Sequence, residues 1–272
     1  MQRASRRSSV RCQTLFGRLA SVGALLLGCS APSVSEESGP IESLPPNSTQ
    51  DFALSFDGTD DYASTGTAGF PFARLPQTVS FWLKSAASGG TEQTVLTLRK
   101  DAESGVRIGL CGGALCAKSI YSRSVFAQAA NALPTGEWHH VAYEFDGTDD
   151  SPHHTIYLDG VSVASGTTTP EKRTPTSAFL GSGDGTDLFF SGEIDELRVW
   201  SVARTAELLA AEIAGEAPDQ EPPDLVAYYT FNEGGGARVV DRSGRGNHAL
   251  LGDGISSRMP LRVPSNFAAA RP

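Results

Sequence analysis

Helical periodicity is nearly missing from this 272-residue sequence. Apolar residues recur at three- and four-residue spacing only in Thr205–Gly215, which argues against helix bundles and βαβ folds. No P-loop, dinucleotide fingerprint or nucleophile elbow is present, so nucleotide chemistry and α/β-hydrolase chemistry are set aside. The five histidines offer no zinc spacing: His139 and His140 are adjacent in a strand-like run and point opposite ways, and His153 and His154 fall in a polar stretch. Charge is scarce at 19% of residues, and cations are the scarcer sign, with 22 Lys and Arg against 31 Asp and Glu for a formal net charge of −9. That balance speaks against nucleic acid and anionic bilayers as partners. The apolar run at Leu19–Leu27 is too short to span a membrane, and only four cysteines occur.

Arg3, Arg6, Arg7 and Arg11 ahead of that run read as a secretory signal over residues 1–28. Its removal takes five arginines and no carboxylate, which moves the net charge from −9 to −14. Leu26-Leu27-Gly28-Cys29 resembles a bacterial lipobox, which implies lipidation at Cys29 and attachment to the membrane only through that lipid. Simple cleavage near Ser30-Ala31 is the competing reading. Ser30 beside the lipidated cysteine points to the outer membrane or cell surface. The rest of 29–50 is rich in Ser, Pro and Glu and reads as a flexible tether. Two cysteines remain in an exported chain, and Cys111-Gly-Gly-Ala-Leu-Cys116 lies between two strand-like runs. A strand–turn–strand can bring such a pair within disulfide reach, the alternative being two free buried thiols.

From Asp51 onward, turn signals recur every 8 to 15 residues, the rhythm of an all-β sandwich. Leu54 and Phe56 alternate with Ser55, and Val79, Phe81 and Leu83 alternate with Ser80, Trp82 and Lys84. Val95–Leu98, Val106–Leu110 and Ala178–Leu180 continue the pattern, giving each strand one apolar face. Trp138–Phe145 and Thr155–Leu158 are β-rich, and Asp159-Gly160 before Val161 predicts a two-residue hairpin turn. Phe-Asp-Gly-Thr-Asp-Asp occurs at both 56–61 and 145–150, with unlike flanks, so it reads as one turn solution used twice. Thr205 caps the single helix, Gly215 ends it, and Pro218, Pro222 and Pro223 prevent its continuation.

Several of these stretches, in this order, resemble the laminin G-like domains of the concanavalin A-like lectin/glucanase superfamily. They are Ala53–Tyr62, Thr78–Lys84, Trp138-His139-His140-Val141-Ala142, Tyr157-Leu158-Asp159-Gly160 and Gly192–Trp200. The F-x-E-G-x-G run from Phe231 and the D-x-S-G-x-G-N-H run from Asp241 to His248 also resemble the family, although relatives often carry them at the start of the domain. The resemblance implies an all-β, two-sheet antiparallel jelly-roll sandwich with one short helix near the C-terminal end. It is expected to cover residues 51–252, with 225–231 as a closing strand beside the first and 253–272 as a tail.

Gly192-Glu193-Ile194-Asp195-Glu196-Leu197 resembles the E-x-D-x-E strand of retaining glucanases, whose outer glutamates must share a face. Strand alternation puts Glu193, Asp195 and Leu197 on one face, so Leu197 replaces the third carboxylate and the expectation is no enzyme. The resemblance also implies a structural calcium where the first turn meets this strand, with Asp57, Asp60 and Asp195 as ligands. The alternative is that Asp57 and Asp60 are turn residues bonding their own backbone. Tyr62, Tyr121, Asp184 and Asp187 are the candidate ligand rim. The expected function is a non-catalytic, monomeric surface module binding glycan. A protein-binding module without a glycan site and a divergent glycosidase are the alternatives.

Overall fold

The structure is a computed structural model. It describes residues 51–71, 75–86, 90–102, 104–120, 122–147, 152–167, 175–215 and 222–267. Cys29, the signal, the tether and Tyr121 lie outside the described residues.

In chain order the strands are β1 Phe52–Asp57, β2 Ala63–Thr65, β3 Gln77–Ser85, β4 Gln93–Asp101, β5 Ser104–Cys111, β6 Ala114–Ser119, β7 Val125–Gln128 and β8 His139–Phe145. They continue as β9 His153–Leu158, β10 Val161–Thr167, β11 Ser177–Leu180 and β12 Ser191–Trp200. Helix α1, Ala206–Ile213, is followed by β13 Leu225–Tyr229, β14 Arg238–Val239, β15 Ala249–Leu251 and β16 Leu261–Pro264. The first sheet runs β10-β9-β8-β3-β12-β1-β16, with β13 also on β12, and the second runs β14-β15-β2-β11-β4-β5-β6-β7. Neighbouring strands in both are antiparallel. The result is a two-sheet antiparallel jelly-roll sandwich: the alternation and turn spacing predict the sandwich, and the family resemblance implies the jelly roll.

The main core lies between the sheets. Leu54, Phe56, Val79, Phe81, Leu83, Ile194, Leu197 and Val199 face Leu96, Leu98, Ile108, Leu110, Leu115 and Ala117 across it. Each such side chain, when fully buried, contributes roughly 1.5–3 kcal/mol. The hairpin at Asp159-Gly160 forms as its sequence dictates: φ is +50° at Asp159 and +79° at Gly160, and Val161 pairs with Leu158. Those are the angles a type I′ turn requires.

Strand β3 departs from the simple pattern, because its outer face is buried too. Helix α1 and the C-terminal segment cover it. Ile213 and Phe267 form a second apolar cluster with Ala53, Trp82 and Trp138, apart from the inter-sheet core. Glu212 accepts a hydrogen bond from Ser80 Oγ at 2.6 Å and forms an ion pair with Arg204 at 2.9 Å, so a buried polar contact fixes the docked helix. Thr205 Oγ1 caps α1 by accepting from Leu208 N–H, and Gly215 follows its end at φ +83°.

The expected boundary at 252 falls short. Strand β16, within the stretch expected to be a tail, is the one that lies beside β1, Ala53 opposite Val263. Strand β13 instead pairs with the second half of β12, end to end with β1 on the same flank. The Asp241–His248 run works as a structural clasp. Asp241 accepts from the backbone N–H groups of Tyr228, Ser243 and Asn247, and the Asn247 side chain bonds the backbone of Ala68 and Val226.

Candidate binding site

The first turn gathers carboxylates. Asp57 Oδ1 accepts from the N–H groups of Thr59 and Asp60, and Asp61 Oδ2 accepts from Asp57 N–H. Carboxylate oxygens of Asp57, Asp60 and Asp61 lie within 4.8 Å of one another. Burial raises the Asp61 pKa, the Asp57 N–H partly offsets this, and the charges of Asp57 and Asp60 add to it. This donor set suits a hard divalent cation, which takes oxygen ligands and relieves such repulsion. Asp195 is not part of it. Asp57 pairs with Ser191, and four further residues along β12 put Asp195 about 13 Å away along the strand. The buried residue that joins Asp57 and Asp60 is Asp61.

The glucanase-like strand is re-aimed by a bulge. The pairing of β12 with β3 shifts register between Asp195 and Arg198, and Glu196 sits at φ +49°. A bulge leaves two residues opposite one and displaces the alternation beyond it. Leu197 therefore joins the inter-sheet core, and Leu197 is not the residue at the third carboxylate position. Arg198 holds the next outward position, with Glu196 beside Asp195. The outward carboxylates are already engaged: Glu193 pairs with Lys84 at 3.0 Å, and Glu196 is buried against Arg198 and the Tyr228 hydroxyl, which donates at 2.7 Å. Helix α1 and its contacts overlie this part of the sheet, so the two-carboxylate geometry of glycoside hydrolysis is not assembled in an open groove among the described residues.

The opposite side of the molecule carries a polar pocket of about 160 Å³, lined by Glu92, Arg107, Lys118, Ser119, Arg123, Asp187 and Leu188. Arg107 and Lys118 alternate with the core residues Ile108 and Ala117, which places them on the outer face of the second sheet. The segment 181–188 folds over that face. Ser182 carbonyl accepts from Thr97 Oγ1 at 3.1 Å, and Asp184 forms an ion pair with Arg99 at 3.3 Å. Burial opposes ionisation of Asp184, but hydrogen bonds from Thr186 and the Arg99 charge outweigh it and lower its pKa. Asp184 thus braces the segment, and Asp187, which is exposed, lines the pocket. Tyr62 is not a stacking rim. It is only 4% exposed, its hydroxyl donates to Asp253 at 2.9 Å, and its ring packs near Phe179. Cys111 and Cys116 are joined in a disulfide across the β5–β6 hairpin, whose two strands also carry Arg107 and Lys118.

A family model described as the concanavalin A-like lectin/glucanases superfamily, of laminin G type, matches residues 57–210. The chain belongs to that superfamily. Among solved structures, a proposed carbohydrate-binding protein from Bacteroides ovatus superposes with a TM-score of 0.56 at 19% identity, covering 80% of this chain and 62% of that one. The present chain therefore spans less than two thirds of that relative. A heptameric SAP-like pentraxin from Limulus polyphemus matches with a TM-score of 0.50 at 18% identity, over 78% of this chain and 98% of its own. Likeness at these identities shows the fold. No curated protein matches the chain.

Within this lectin/glucanase frame, the residues that sequence reasoning missed are Glu92, Arg107, Lys118 and Arg123. A signal for two of them was present. Gly112-Gly113 forms the turn between the disulfide-linked strands, so counting back from it places Arg107 directly opposite Lys118. Two cations facing one another on a sheet are a local conflict that marks the spot.

Proposed function

We propose that the protein is a non-catalytic surface-binding module whose ligand is carbohydrate, taken on the outer face of the second sheet under segment 181–188. The polar pocket there carries the reading: it is braced on one side by the ion pair of Asp184 with Arg99 and offers both donors and acceptors. A few placed polar groups in a concavity are what orient a small ligand. Superfamily membership and the likeness to a proposed carbohydrate binder support it. The engagement of Glu193 by Lys84 and the burial of Glu196 support binding without cleavage.

Two further parts complete the reading. Leu26-Leu27-Gly28-Cys29 supports export and lipid anchoring at Cys29, with 30–50 holding the domain clear of the surface. The proximity of Asp57, Asp60 and Asp61 supports a bound calcium, whose chemistry there is to neutralise the three carboxylates and fix the first turn.

A glycan array probed with the purified chain in calcium and in EDTA, with the medium analysed for cleaved sugar, tests this. Retained, uncleaved hits are expected. Silence across the array would favour a protein partner, and released product would establish an enzyme.

A further inference from the structure

The pocket has an unusual charge arrangement for this chain. Arg107 on β5 and Lys118 on β6 are a direct cross-strand pair, and like charges so placed repel. Glu92 relieves only one of them, as Lys118 Nζ forms a 2.5 Å ion pair with its carboxylate. Arg107 Nε is buried and has no hydrogen-bond partner among the described residues. Arg123, exposed at φ +56° between β6 and β7, brings a third cation to the same walls. Among the described residues that line the pocket, Glu92 and Asp187 are the acidic ones set against these. A surplus of positive charge inside one pocket is retained on a chain whose net charge is −9.

Resting on the glycan reading above, we propose that this pocket takes a sugar bearing an anionic group, carboxylate or sulfate. Arg107 and Arg123 hold the anion, and Glu92 and Asp187 accept hydrogen bonds from neighbouring hydroxyls. Guanidinium groups match planar anions with paired N–H donors, and such charge-assisted bonds are the strong ones. A bound anion also resolves the conflict between Arg107 and Lys118. Ligand cavities for larger molecules span about 300–1,000 Å³. At about 160 Å³ the pocket accommodates one sugar unit, with any remaining chain lying outside.

The test is calorimetric titration of the purified chain with oligogalacturonate, a glucuronate-bearing oligosaccharide, a sialylated oligosaccharide and a sulfated galactan fragment. Each is paired with its neutral counterpart, and inorganic phosphate and sulfate serve as free anions. At least one acidic sugar should bind at least roughly tenfold tighter than its neutral partner, the scale of a hydrogen bond to a charged group. Which member binds separates carboxylate from sulfate. Arg107→Gln should remove that advantage. Arg123→Gln, at an exposed position that does not support the fold, should reduce it, and added salt should weaken binding. Equal affinity for acidic and neutral sugars, unchanged in both variants, would overturn the proposal and leave the glycan reading standing. Phosphate or sulfate binding as tightly as the sugars would reduce the pocket to a simple anion site. No binding across the array and this panel, with the protein folded, would end both.

Discussion

Replacing Asp195 by asparagine should stabilise the fold in neutral and alkaline solution and change little in acid. Asp195 is fully buried on the outer face of the first sheet, opposite Trp82. Its Oδ1 accepts from Glu196 N–H at 2.8 Å, and among the described residues no donor lies within full hydrogen-bond geometry of its Oδ2. Burial pushes its pKa from 3.8 up to about 8; the nearby Ser265 hydroxyl offsets part of this, and the charges of Asp51 and Glu196 add to it. A carboxyl raised on folding favours the protonated native state. Its contribution is complete below pH 3.8 and is lost as pH climbs to about 8. Each unit of that interval is worth about 1.4 kcal/mol, which sets a ceiling on the order of 6 kcal/mol for the whole window. Asparagine keeps the shape and removes the ionisation. Urea unfolding of both proteins from pH 4 to pH 9 should show curves that meet near pH 4 and diverge up to pH 8, where the gap levels off. A difference independent of pH would refute the reasoning.

Glu212→Ala should cost about 3 kcal/mol in urea unfolding, because it leaves the partly buried Arg204 without its carboxylate and removes the acceptor of the buried Ser80; a loss under 1 kcal/mol would show that α1 is held otherwise. Reducing the Cys111–Cys116 bond should lower stability by about 2 kcal/mol, the loop-closure scale for so short a loop, with no effect on the far sheet by near-UV circular dichroism. Calcium at a hundredfold its dissociation constant should raise the thermal midpoint by roughly 5 °C, and Asp60→Asn should abolish that shift. A midpoint unmoved by calcium or EDTA would count against the metal.

Local signals were legible in the sequence, and signals that depend on strand pairing were not. Asp159-Gly160 dictates its turn through the angles those two residues tolerate, whatever surrounds them. The bulge at Glu196 has no such local marker, since Glu-Ile-Asp-Glu-Leu alternates well as a plain strand. Only the ladder with β3 shows the slip that sends Leu197 inward. The distance from Asp57 to Asp195 likewise follows from register and not from residue type. His154 reads as polar loop yet is stacked between Phe126 and Phe145, 4.5 Å and 4.8 Å between ring centres, because β9 begins earlier than its apolar residues suggest. The C-terminal strand was hidden for a related reason: Leu261-Arg262-Val263-Pro264 is short and ends in proline, a composition tolerated only at a sheet edge, where β16 lies.

The most direct test of the account is hydrogen-exchange mass spectrometry of the purified chain with and without the strongest oligosaccharide from the array. Protection confined to β5, β6, the β6–β7 turn and segment 181–188 is the predicted result. Protection centred on β12 and α1, with those segments unchanged, would contradict the assignment of the second sheet as the binding face.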